Sequence, residues 1–361
     1  MDSRQRVMTA ISHREPDRVP VDFWATDEVY DALLARTALS DRETLLRRFG
    51  VDFRYVYGPS ELGQEAKTHP DGSVEDLWGV RRKLVVVSHP GYTARYWEVA
   101  DSPLAEARTV ADVEGYSGWP DPTAWDFSRV ARALGSHRGY AVVNAGNRLD
   151  RTAQLKPAMY LRGVEQILVD LHLAPAVAEA IFAHIRDYFL EYNRRLFQAA
   201  GGGIDIFMMG DDFGTQHGPM MDTAMWRRFF RDGFRRYIDL AHSFGIRVMH
   251  HTCGAVRSLI PDFIECGLDI LQSLQPQATG MDLGGLKRDF GRDLVLAGSI
   301  DLQGALVHGT PAQVRDEVRR KMTLGKSGGG FVISTAHNIQ PDAPVENVLA
   351  LVNAYEEFRD Y

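Results

Sequence analysis

Short apolar runs alternate along this chain with longer stretches in which apolar residues recur every three or four positions. The first pattern predicts buried strands and the second amphipathic helices. Strand-like runs cover 19–24, 53–57, 140–144, 204–209, 246–251, 268–272, 294–298 and 330–334. Helical spacing covers 4–12, 28–35, 41–49, 162–173, 175–200, 222–244, 281–290, 311–324 and 345–358. Glycines 50, 201, 245 and 267 stand where helices should stop, since glycine most readily takes the left-handed turn that ends one. Eight strands, each followed by helical sequence and apolar enough to be buried on both faces, predict an α/β fold of the (β/α)8 TIM-barrel type. A doubly wound open sheet is the alternative. The alternation lapses from about 58 to 139, where 84–87 and 95–99 read as a β-hairpin inserted after the second strand. No linker bounds the insertion, so one barrel domain over 1–361 is expected.

Composition narrows the function classes. The 361 residues are 45% hydrophobic and 25% charged, and the formal charge of −7 is spread along the chain, which gives no support to nucleic acid or an anionic membrane as partner. Two cysteines, Cys253 and Cys266, make a disulfide framework implausible and favour a reducing compartment. No apolar run approaches the roughly 20 residues that span a bilayer, and the first residues lack a signal-peptide core. A cytoplasmic location is the expectation.

In a barrel of this kind catalytic groups sit at the carboxyl ends of the strands. Those ends carry Trp24, Tyr57, Asn144, Asp211, Asp212, His251, Cys253, Gln272, Gln275, Ser299, Asp301 and His337. The run at 246–254 ends in His-His-Thr-Cys-Gly, and two-residue periodicity puts His251 and Cys253 on one side, with His250 and Thr252 on the other. Imidazole with thiolate suits a zinc ion, which needs at least one further ligand. The plainer alternative is a small buried cysteine beside a hydrogen-bonded core histidine. Asp211 and Asp212 are candidates for a ligand, a partner that orients His251, or a general base. Neighbours in a strand face apart, so one of the two is expected in the pocket, and Asp212 is the choice. Trp24, Tyr57, Asn144, Gln275 and Asp301 are candidate substrate contacts, with a helix cap the competing role for Asp301. Cys266 is read as packing, and the glycines at 328–330 precede a strand, the wrong end for a phosphate site.

Three motifs then carry a resemblance: Gly-Asp-Asp-Phe-Gly at 210–214, His-His-Thr-Cys-Gly at 250–254 and Ser-Thr-Ala-His-Asn-Ile-Gln-Pro-Asp-Ala-Pro-Val-Glu-Asn at 334–347. With Asp-Arg-Val-Pro at 17–20, the chain resembles the uroporphyrinogen decarboxylase superfamily over nearly its whole length. The resemblance implies a barrel with one of two chemistries. One branch decarboxylates a tetrapyrrole without a cofactor; the other comprises zinc methyltransferases that move methyl groups between corrinoid proteins and substrates or thiols. The methyltransferase branch ligates zinc with His-x-Cys and a second, distant cysteine. Here His251 and Cys253 match the first part, and His337 stands where the second cysteine would, which implies a His251, Cys253, His337 site with an open position. The arginine-rich motif that decarboxylases carry after the first strand is not visible in 21–27, and their aspartate beyond the second strand has no match near 57–60. A polycarboxylate tetrapyrrole needs several fixed cations. The expectation is a zinc-dependent methyltransferase or demethylase of a small methylated compound, with a thiol or a corrinoid on a separate protein as methyl partner, and a homodimer as the family hint. The alternatives are a cofactor-free decarboxylase of a tetrapyrrole or smaller aromatic acid, using Asp212 and His337 as acid–base groups, and a non-catalytic barrel that binds a corrinoid or tetrapyrrole.

Overall fold

Residues 1–57, 67–146 and 151–361 are described by the computed structural model. The chain passes through β1 (Phe53–Val56) into a four-stranded antiparallel sheet of β2 (Lys67–Thr68), β3 (Val74–Glu75), β4 (Arg81–His89) and β5 (Tyr92–Asp101). It then builds a parallel sheet from β6 (Ala141–Asn144), β7 (Ile206–Gly210), β8 (Arg247–His251), β9 (Ile270–Leu274), β10 (Val295–Ile300) and β11 (Phe331–Thr335). In that seven-stranded sheet the order is β1-β6-β7-β8-β9-β10-β11, so each strand pairs with the next one of the parallel set. Parallel neighbours require crossover connections, which here are helical.

Alternation along the strands divides the core in two. Phe53, Val143, Ile206, Met208, Met249, Ile270, Val295 and Val332 pack together on the inner face of the curled sheet. Their neighbours Val142, Phe207, Met209, Val248, Leu271, Leu296 and Ile333 face the helices. The helix Ser3–Ile11 covers the amino-terminal ends of the strands: Val7 and Ile11 join the inner cluster, Arg4 N donates to Gly139 O and Gly330 N to Ala10 O. The carboxyl ends are therefore the open side.

Three expectations change in the structure. Residues 19–24, read as the first strand, and Ala25 after them form isolated bridges and not a ladder: Val21 pairs with Ile333 and Ala25 with Ile339, both parallel. Pro20, which lacks an N–H, accepts from Ile333 N but has nothing to donate, so a regular ladder cannot form through it. The segment still touches both sheet edges, because Asp22 N donates to Ile333 O and Asp52 N to Val21 O. Second, the insertion holds the whole antiparallel sheet β2 to β5 and not a lone hairpin; the start of the expected insertion, 58–66, lies outside the described residues. Third, the helix expected over 222–244 is two, Thr223–Phe229 and Arg231–Ser243, and Leu155–Arg162 precedes Val164–Leu173, with Gly163 at φ +90° making the corner. The helices Pro175–Ala200 and Val345–Phe358 have the expected limits. Among the described residues no helix is long and apolar enough to cross a membrane.

Asp52 joins these parts. Its fully buried carboxylate accepts from Arg6 Nη1 at 2.8 Å, from Arg18 Nη1 and Nη2 at 2.8 and 2.9 Å, and from Val21 N at 2.9 Å. One side chain thus ties the first helix, the bridging segment and β1. Asp52→Ala leaves two guanidinium groups without their buried partner and should cost about 3–5 kcal/mol of stability in urea unfolding; a loss below about 1 kcal/mol would remove this carboxylate from the role assigned to it.

Candidate active site

β7, β8 and β9 deliver their polar ends to one point. β8 alternates Val248 and His250 toward the helices with Met249 and His251 toward the interior, so His251 reaches the open end of the sheet. Its Nε2 lies 3.6 Å from Cys253 Sγ. Its Nδ1 lies 2.5 Å from Gln272 Oε1, which accepts the ring proton. Burial, with Arg151 beside it, holds the His251 imidazole neutral, its pKa down at about 3. A neutral ring that donates through Nδ1 leaves the Nε2 lone pair free. His337, on the loop after β11, brings its ring centre to 5.5 Å from that of His251. One donor atom from each of His251, Cys253 and His337 lies within 4.8 Å of the others.

Around this trio the charges are paired. Asp212 Oδ2 accepts from Lys156 Nζ at 2.7 Å and Oδ1 from Cys253 N at 3.0 Å. Burial works to raise the Asp212 carboxyl, but the charge and hydrogen bond of Lys156, with the Cys253 N–H, outweigh it and hold it well below the usual carboxylate range. With His251 neutral, the 4.0 Å approach of Asp212 Oδ1 to its Nε2 is not an ion pair. Burial and then Asp212 push the Cys253 thiol up to about 12 in the metal-free protein. Ser273 Oγ sits 3.4 Å from Cys253 Sγ and donates to Ala336 O, linking β9 to the loop that carries His337. Ser273, skipped where β9 and β10 shift register, has φ +79°, and Ser299 on β10 has φ +83°. Left-handed serines in buried strands are strained, and here the strain borders the trio.

The trio adjoins a cavity of about 820 Å³ whose wall includes Trp24, Tyr57, Arg151, Lys156, Asp212, His251 and His337. The Trp24 ring centre lies 5.7 Å from that of His251 and 5.6 Å from that of His337, stacks on Tyr55 and has the Arg151 guanidinium 5.4 Å away.

Of the residues expected at the site, Asp212, His251, His337, Trp24 and Tyr57 line this cavity, and Cys253 sits against His251 just outside its lining. Asp211, Asn144, Gln275 and Asp301 do not line it. Asp211 is buried and accepts from the backbone N–H groups of Gln154, Leu155 and Lys156, so it anchors the start of the helix Leu155–Arg162. Burial pushes its carboxyl up to about 6 against those three bonds. Asp301 accepts from Gln303 N, Gly304 N and Ala305 N, the capping role weighed against substrate contact. Gln275 Oε1 accepts from Gly254 N and shapes the turn after Cys253. Asn144 is buried near the helix Pro175–Ala200, beside Tyr192 and Asn193. His250 packs among Phe213, Phe234 and Phe263, on the helix side as expected. Sequence reasoning missed Lys156, Arg151, Tyr160 and Ser273, and named Gln272 only as a strand end. No spacing rule links Lys156 to Asp212. Gln272, two residues into its strand from Ile270, was readable as inward-facing beside His251.

The donor set fits a zinc ion. Two imidazole nitrogens and a sulfur, with a carboxamide fixing the free ring nitrogen of one histidine, are the ligands and the supporting contact such a site uses. The family model described as uroporphyrinogen decarboxylase (URO-D) matches residues 152–358, more than half of the chain and the whole of the trio. This chain belongs to the uroporphyrinogen decarboxylase family. Within it, a methylated-thiol–coenzyme M methyltransferase of Methanosarcina mazei is 23% identical over 269 residues, 72% of this chain and 67% of the relative. A methylcobamide:CoM methyltransferase of Methanosarcina barkeri is 24% identical over 159 residues, 43% of this chain and 42% of the relative. A uroporphyrinogen decarboxylase of Pseudoalteromonas translucida is 36% identical over 90 residues, 22% of this chain and 25% of the relative. The two methyltransferases thus match a larger share of the chain than that decarboxylase does. Among solved structures, a methyltransferase from Methanosarcina mazei superposes with a TM-score of 0.69 at 18% identity over 99% of both chains, a likeness of fold.

For this family member, replacing Gln272 with Leu removes the acceptor that sets the His251 tautomer. Zinc affinity, measured by chelator competition, should fall about 10- to 100-fold with the circular dichroism spectrum unchanged; unchanged affinity would mean that Gln272 does not orient the ring.

Proposed function

We propose that this protein is a zinc-dependent methyltransferase or demethylase that acts on a small methylated compound, with a thiol or a corrinoid carried by a separate protein as its methyl partner. The observation that carries this reading is the trio of His251, Cys253 and His337 beside the large cavity, within 4.8 Å of one another and with His251 already in the ligating tautomer. The names of the two methyltransferase relatives support it. In this reading the segment 19–25 is the eighth stave of a single barrel, and the chain forms one domain over 1–361. The cytoplasm is the proposed location, on the grounds of the two free cysteines; a homodimer rests on the family resemblance alone.

His251, Cys253 and His337 hold the metal, and Trp24 and Tyr57 contribute to the cavity beside it. A zinc ion held there by His251, Cys253 and His337 would supply Lewis acidity toward a thiol, thioether or ether in the cavity. Asp212, kept ionised by Lys156, holds the Cys253 backbone and offsets positive charge at the trio. It is too acidic to serve as a proton acceptor at neutral pH. Arg151 and Trp24 shape the wall nearest His251 and His337.

Elemental mass spectrometry of the purified protein tests the reading. Near-stoichiometric zinc in the native chain, lost in Cys253→Ala and in His337→Ala, is the expected result. Protein that stays metal-free after zinc is added would sink the methyltransferase reading and turn the search to carbon dioxide release from carboxylic acids. Calorimetric titration adds a pH prediction. The Cys253 thiol is protonated at neutral pH, so zinc binding at pH 7 should release about one proton and affinity should rise with pH.

A further inference from the structure

The same cavity has a second wall, built by the antiparallel sheet and the helix Leu155–Arg162, which the proposed chemistry does not use. Trp78, between β3 and β4, and Tyr160, on that helix, both line the cavity. Arg82 on β4 puts its guanidinium carbon 4.4 Å from the Tyr160 ring centre. Asp76 binds this group together: its Oδ1 accepts from Trp78 N and its Oδ2 from Arg82 Nε, both at 2.9 Å. Yet Trp78 Nε1, Arg82 Nη1 and Tyr160 OH are buried and have no hydrogen-bond partner among the described residues. Trp78 is 3% exposed and Arg82 1%. Buried donors are costly to leave unpaired, and three in one cluster call for an acceptor with several lone pairs.

We infer that this cluster is a recognition point for a carboxylate on the substrate. It deepens the proposed function by naming the substrate class: a methylated compound whose other end is a carboxylic acid. Position supports the pairing of the two points. Tyr160 follows Lys156 by four residues, one helical turn or about 6 Å along the axis, and Lys156 reaches Asp212 beside Cys253. Trp78 and Tyr160 line the same cavity as His251 and His337, so one ligand can engage both points. A guanidinium N–H, an indole N–H and a phenol O–H are all donors, and a carboxylate offers two oxygens with about four acceptor sites. Arg82 stands behind Tyr160 and outside the cavity lining, where its planar fork holds Asp76 through Nε and leaves Nη1 unpaired beside the Tyr160 ring.

Tyr160→Phe is the discriminating variant. It removes a hydroxyl that bonds to nothing among the described residues, so its melting temperature without ligand should equal or exceed that of the native chain. The probes are benzoate and 4-methoxybenzoate, each against its amide of nearly the same shape, with affinities from calorimetry and zinc content measured on the same samples. The expected result is an acid bound about tenfold more tightly than its amide, an advantage that shrinks to less than about threefold in Tyr160→Phe. Arg82→Lys should show the same loss if it folds, and the conclusion does not need it. Equal binding of acid and amide, an undiminished acid preference in Tyr160→Phe, or no binding of either acid would overturn the inference. Zinc present without acid discrimination defeats this subsite alone; acid discrimination in a protein that takes up no zinc defeats the proposed function alone.

Discussion

The carboxylate of Asp52 is the contact on which the geometry of the open end depends. A seven-stranded parallel sheet has two edges, here β1 and β11, and edges expose unpaired backbone groups. The segment 19–25 lies across both, but Pro20 denies it a full ladder. Asp52 supplies what the ladder cannot, by accepting from Val21 N while Asp52 N donates to Val21 O. Arg6 and Arg18 then neutralise a charge that would be costly to bury alone. The far end of the same segment is Trp24, whose ring stands between Tyr55, His251 and His337. The position of Trp24 beside the trio thus depends on how the segment is held at Val21.

A second chain of contacts sets the trio from the other side. Asp211 and Asp212 are adjacent and point apart, and each binds the same helix: Asp211 through three amide N–H groups at its start, Asp212 through Lys156 on its first turn. Asp212 also holds the backbone of Cys253, so the helix Leu155–Arg162, the end of β7 and the turn after β8 are tied together. Ser273 extends the unit to the loop of His337 through Ala336. The left-handed backbone at Ser273 is what aims its hydroxyl between Cys253 and that loop, and such strain persists only where the surroundings over-determine it.

Periodicity made much of this legible. The inward direction of His251 follows from counting two residues from Met249, and the limits of Pro175–Ala200 and Val345–Phe358 follow from their apolar spacing. The choice of Asp212 over Asp211 came from the same parity. What parity cannot see is tertiary pairing. Asp301 and Asp211 sit at strand ends exactly as catalytic carboxylates do, and only the positions of nearby amides reveal them as caps. Gln275 and Asn144 lie off the cavity for a related reason: the strand-end rule selects a ring of residues but not which of them face the cavity. The hairpin expected at 84–99 was visible as two β-rich runs, whereas β2 and β3, two residues each, are too short to leave a pattern.

The cavity wall also bears on which of the family's chemistries suits this chain. Among the described residues four cations line it, Arg42, Arg95, Arg151 and Lys156, so the missing arginine motif after the first strand does not leave the cavity without positive charge. Two of them are already engaged by carboxylates of the same wall, Arg42 with Asp27 at 3.0 Å and Lys156 with Asp212 at 2.7 Å. A polycarboxylate tetrapyrrole would have to compete with both pairs, and a charge taken from Lys156 would leave Asp212 uncompensated beside Cys253. A ligand with a single carboxylate makes no such demand. It leaves the Lys156–Asp212 pair intact and the trio in place, which is why the distribution of charge, more than its amount, favours a small substrate over a large macrocycle.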